Sequence, residues 1–184
     1  MMKHSEVTSG LWSFMITFYT LPGAAETLLS LQDEYDVDVV LLLAVLYAVS
    51  TGTRLSAGDI MSIDAEIMRF RETAIIPLRT IRTRLKLLPE FPADSSVVAL
   101  RKKVKRLELE AEKIEALAIA QLLKKYQVTE EPITDHGVDS TIAAFFQFIG
   151  YRSPGNEAAP LDATMQPLKN YLRDMNALCA HRPL

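Results

Sequence analysis

The stretch DVVLLLAVLYAVS, Asp38 to Ser50, decides the fold. From Val39 to Val49 it runs through eleven residues without a charge or a strongly polar group. A bilayer-spanning helix needs about 20 such residues, so no membrane span is expected here. A helix that is apolar all round belongs inside a domain, with other helices covering every side. Asp38 is placed to cap its first turn, and Gly52 to end it.

Reading outward, the neighbouring segments have the pattern such a helix needs around it. Toward the N-terminus, Leu11, Phe14, Met15 and Phe18 recur at helical spacing and predict a helix from Ser9, stopping before Pro22-Gly23. A second helix, Ala24–Tyr35, carries Leu28, Leu29 and Leu31. It ends among Asp33, Glu34, Asp36 and Asp38, and acids at a helix C-terminus oppose the macrodipole. Beyond Gly52, Ser56 and Asp59 are spaced as a capping box, followed by Ile60, Ile63, Ile67 and Phe70. Pro77 falls within that pattern and should kink the helix or divide it. Leu78, Ile81, Leu85 and Leu88 resume it, and Pro89 and Pro92 bracket a loop.

Ser95 or Ser96 opens the longest helix, to about Tyr126. Val97, Leu100, Val104, Leu107, Ala111, Ile114 and Ala118 form a heptad seam of about three repeats. Val98, Leu109, Leu117, Ile119, Leu122 and Leu123 broaden the face, which suits packing in a bundle. Val128–Val138 reads as a linker. A short helix from Asp139 or Ser140 and a final amphipathic helix over Leu161–Leu178, with Pro167 in its first turns, complete the chain. The expected architecture is an all-α bundle of about five main helices, with small C-terminal helices. Residues 9–126 form the core, 127–138 a linker and 139–184 a C-terminal appendage.

Four short pieces within this pattern stand out as a set: Leu11-Trp12-x-Phe14, Tyr19-x-x-Pro22-Gly23, Leu31-Gln32-Asp33 before Asp38-Val39, and Pro77-Leu78-Arg79-x-x-Arg82-x-x-Leu85-Lys86. Together they resemble an uncharacterised family of small proteobacterial proteins, a domain of unknown function, over roughly residues 10–125. The resemblance implies a helical, cytoplasmic bacterial protein and brings no activity, cofactor or catalytic residue. It also leads us to expect an Asn where this chain has Val40 and a Trp near Phe70; both are departures.

At 184 residues, with 49% hydrophobic and 23% charged, the chain can bury a core without metals or disulfides. One cysteine, Cys179, cannot form an internal disulfide, so a reducing, cytoplasmic setting is expected. Glu6, Ser13, Thr17 and Thr20 argue against a signal peptide.

Catalytic chemistry finds little support. His4, His136 and His181 have no ligand spacing with one another or with Cys179. Asp33, Asp36 and Asp38 lack the EF-hand pattern and read as a solvated turn. Cys179 and His181 are close only in sequence, near the chain end. There is no Gly-x-Ser-x-Gly and no glycine-rich phosphate loop. No catalytic residue, metal or cofactor is expected.

The charge distribution is more informative. Residues 79–106 hold nine Lys/Arg and two Asp/Glu, while the whole chain is −3. Arg79, Arg82, Arg84 and Lys86 end one helix; Arg101, Lys102, Lys103, Lys105 and Arg106 fall in the first turns of the next. A short loop would fold both groups into one basic hairpin tip. Cations in a helix's first turns are disfavoured by about 0.3–1 kcal/mol each when exposed, so partners are to be sought. The favoured partner for Arg79 and Arg82 is the acidic turn Asp33–Asp38. For the second group, Glu108, Glu110, Glu112 and Glu115 of a second, antiparallel copy could serve, making a homodimer; nucleic-acid phosphates are the alternative. Phe91 is the only aromatic between Arg79 and Arg106, so base stacking is poorly supported.

Trp12, Phe14, Phe18 and Tyr19 read first as core. Otherwise Trp12 and Tyr19 would wall a ligand pocket, with Gln32, Asp33 and Asp38 as polar anchors. The leading expectation is a non-enzymatic interaction or adaptor protein that self-associates. Nucleic-acid binding through the basic tip and small-ligand binding or catalysis in the pocket are the competing readings.

Overall fold

The computed structural model describes residues 6–87, 95–128, 134–152 and 161–180, which are helical apart from the turns that join the helices. The helices are α1 (Glu6–Tyr19), α2 (Ala24–Tyr35), α3 (Val39–Ser50), α4 (Ala57–Phe70), a π-turn (Arg71–Ile75), α5 (Ile76–Lys86), α6 (Ser95–Leu123), α7 (Asp135–Arg152) and α8 (Leu161–Ala180). Among the described residues the only β pairing is an isolated antiparallel bridge, Thr53 to Val128.

α3 is the centre, as its composition requires. Leu41, Leu42, Leu43 and Leu46 are fully buried, and α1, α2, α6, α7 and α8 all pack on it. Each such leucine contributes about 2 kcal/mol through removal from water. Its start is fixed by Asp38, whose Oδ1 accepts the Leu41 N–H at 3.0 Å. α2 ends differently: Asp36 adopts a left-handed conformation (φ 53°) that Asp tolerates better than most residues. Asp36 thus has a backbone role at the end of α2, and Asp38 caps α3.

Several boundaries lie outside the expected ones. α1 already includes Glu6, upstream of Ser9. α7 begins at Asp135, inside the segment read as a linker, because Thr134 Oγ1 accepts the Gly137 N–H and so starts the helix early. The C-terminal helices are not small, having 18 and 20 residues. Phe145, Phe148, Leu168 and Leu172 are buried in one core cluster with residues of α1, α2, α3, α4 and α6. Ring contacts join the layers: Phe14 to Tyr47 at 5.5 Å, and Phe18 to Tyr171 at 5.7 Å.

The Ser56–Asp59 capping box forms in full. The helix is divided near Pro77, which stands in the first turn of α5 just after a π-turn that separates it from α4. Pro77 has no N–H for the carbonyl four residues back. The ladder widens by one residue, so the Ile76 N–H bonds the Arg71 carbonyl five residues back. The insertion lets Arg71 turn into the core while α5 lies along α6.

Candidate functional site

Arg71 is 4% exposed, the most buried cation among the described residues. It sits where the stripe Ile60–Ile63–Ile67 would place another apolar residue, one turn past Ile67. Its Nη1 donates to Asp64 Oδ1 at 2.6 Å and its Nε to Glu115 Oε1 at 3.1 Å, and Nε also pairs with Asp38. Burial alone would pull the guanidinium down, but Asp38, Asp64 and Glu115 outweigh it and hold it above its ordinary value. Three carboxylates around one cation leave an excess of buried negative charge, and one of them yields. Glu115, 1% exposed, is pushed from 4.5 to about 8 by burial and then by Asp38, against the pull of Arg71. Burial and Asp38 together favour its protonated form.

That shift sets a pH dependence. The folded value lies above the unfolded one, so the stability from this group is complete below about 4.5 and is lost as pH rises through about 8. Glu115→Gln is expected to flatten the fall in urea-unfolding stability across that window, by up to about 1.4 kcal/mol per pH unit. Equal slopes for the two proteins would contradict the assignment.

A second network lies above the first. Arg79 donates to Glu108 (Nε, 3.1 Å) and to Glu112 (Nη2, 3.0 Å). Arg82 holds both oxygens of Glu108 through Nε and Nη2. This corrects the expected pairing with Asp33–Asp38: Asp33 is exposed on α2, Asp38 belongs to Arg71, and α6 supplies the carboxylates. An antiparallel hairpin brings residue 82 level with residue 108, which sequence distance alone does not show. Glu108, Glu112 and Glu115 are therefore used within the chain, leaving Glu110 as the exposed acid of that group. A copy of the chain cannot draw on all four.

The rest of the basic segment stays unmatched. Among the described residues, Arg84, Lys86, Arg101, Lys102, Lys103, Lys105 and Arg106 make no ion pair. The heptad seam also divides. Val104 and Ala111 are buried, while Leu100, Leu107 and Ile114 are 49%, 51% and 54% exposed.

Between α1, α2, the start of α3, α5 and α6 lies a cleft of about 460 Å³. Trp12, Met15, Ile16, Leu29, Val39, Val40 and Leu109 give it apolar walls; Tyr19, Gln32, Arg82, Lys105, Glu108 and Glu112 supply polar groups. Three of the five residues read as a pocket, Trp12, Tyr19 and Gln32, line it; Asp33 and Asp38 do not. Phe14 and Phe18 are core. Burial first, then Glu112, pushes the Tyr19 phenol up to about 12, so it remains a neutral hydroxyl. Burial also raises Glu112, opposed by Arg79. Lys113 lies 6.0 Å from the Trp12 ring centroid, at the limit of a cation–π contact.

His4 and His181 fall outside the described residues, as does the Cys179 side chain. No group of three His, Cys, Asp or Glu residues among those described is arranged to hold a metal. None of the described helices is long and apolar enough to cross a membrane.

Comparison with curated proteins and with solved structures gives no match. A family match covers residues 10–119, which spans α1 through most of α6 and so contains both ion networks and every residue lining the cleft. The chain belongs to this family, described as protein of unknown function (DUF2390).

Proposed function

We propose that this is a non-enzymatic interaction protein of the bacterial cytoplasm that pairs with a second copy of itself along α6. The observation that carries the reading is the row Leu100, Leu107, Ile114. Seven residues make about two helical turns, so the three side chains share one face over about 21 Å. Each is half exposed, while Val104 and Ala111 of the same seam are buried.

Charge sets the direction of pairing. Lys103 and Glu110 flank the row on one side. Parallel copies would place Lys103 against Lys103 and Glu110 against Glu110. Antiparallel copies, with Leu107 at the two-fold axis, set Leu100 on Ile114 and Lys103 opposite Glu110. Such an isologous contact closes on itself as a dimer. Light scattering should give a dimer for the native chain and a monomer for Leu107→Lys, with unchanged helicity because Leu107 is exposed. A native monomer over the whole concentration range would sink the proposal.

A second reading rests on the seven cations without an ion pair. They suit a polyanion such as nucleic acid, bound without base stacking and with a steep loss of affinity as salt rises. Material absorbing at 260 nm that co-elutes at low salt and is stripped at high salt is the expected sign. Binding that ignores salt would remove this reading.

A further inference from the structure

We infer that the cleft between α1 and α6 binds a small anionic amphiphile: an apolar body, aromatic or acyl, ending in one carboxylate or phosphate. Its volume of about 460 Å³ lies within the range of small-molecule sites, roughly 300–1,000 Å³. Trp12, Met15, Ile16, Leu29 and Leu109 offer a continuous apolar lining.

The polar groups select the sign of the ligand. Both acids in the cleft are already engaged: Glu108 by Arg79 and Arg82, Glu112 by Arg79. Lys105 lines the same cleft and makes no ion pair. Arg101 lies one turn before Lys105 on the same side of α6, and its Nε is buried without a hydrogen-bond partner among the described residues. Lys86 lies one turn past Arg82 on α5, at the same end of the hairpin. An acid head group in the cleft would meet Lys105 from its lining, with Arg101 one turn away on α6. The neutral Tyr19 hydroxyl can donate to it.

Trp12 is the only tryptophan and stands in the wall, so its emission reports occupancy directly. The probes are dodecanoate, dodecyl phosphate and dodecyltrimethylammonium, each below its micelle concentration. Saturable change with at least one acid is expected, with the cation weaker by about tenfold or more; the tighter of the two acids identifies the head group. Lys105→Glu should weaken the acid by a similar factor without moving the thermal midpoint. Leu107→Lys, on the other side of α6, should leave binding intact. Equal response to the cation, indifference to Lys105→Glu, loss of binding in Leu107→Lys, or no saturable change would each overturn the inference.

Discussion

Replacing Arg71 with alanine is expected to lower unfolding stability by about 3–5 kcal/mol, the cost of stranding buried carboxylates without their cation. For a chain of this size that is roughly a 10 °C fall in the thermal midpoint. Loss of packing alone is a smaller effect, and a double-mutant cycle separates the two. Arg71→Met keeps most of the volume but still strands Asp38 and Asp64, so it should be nearly as damaging. Adding Asp64→Asn to Arg71→Met should restore part of the loss, because one stranded charge is then gone. A fall of under about 1 kcal/mol for Arg71→Ala, or strict additivity in the cycle, would mean that the network does not hold α3, α4 and α6 together.

The second large effect concerns the C-terminal helices. Phe145 of α7 is fully buried, its ring 6.1 Å from Phe146 and 5.9 Å from Phe148, and α7 packs on α3 and α4. Phe145→Ala should cost about 3–5 kcal/mol through lost transfer energy and the cavity left behind. Since α7 shares the core with α1, the whole bundle should feel the loss. Trp12 fluorescence, reporting from α1, and helicity, reporting from every helix, should shift together in one transition. Loss of helicity with Trp12 unmoved would show that α7 and α8 unfold as a separate unit.

What the sequence makes legible here is local. Asp38 as a cap, Ser56 with Asp59, and the all-apolar α3 each depend on residues within one turn or one helix. Trp12, Tyr19 and Gln32 could be marked as pocket candidates because aromatic and amide groups share a short stretch. Arg71 was missed, although a signal was present: a charged residue at the next position of an isoleucine stripe is either an error of register or a buried charge with partners. Those partners, Asp64 and Glu115, are 7 and 44 positions away. Pro77 hinted at an irregular helix, but the phase shift of a π-turn cannot be read from a proline.

The pairing of Arg79 and Arg82 shows the same limit. The acidic turn is nearer to them along the chain than to most other cations, and charge alone favoured it. The antiparallel course of α5 along α6 decides otherwise. The heptad seam likewise told which residues are apolar, not which half the bundle covers. Val104 and Ala111 went inward; Leu100, Leu107 and Ile114 did not. Lys105 entered the cleft from a cluster that looked like a single outward tip.

The pairing of two copies through α6 is tested most directly by cross-linking, in a background with Cys179→Ser. Chains carrying Leu100→Cys are mixed with chains carrying Ile114→Cys and oxidised mildly. The antiparallel arrangement predicts a disulfide-linked heterodimer from the mixture, and little self-linking by either chain alone. Leu107→Cys by itself should link to its own copy. Self-linking by Leu100→Cys without the mixed heterodimer would show parallel copies, and no cross-link at any of the three positions would contradict pairing along this face.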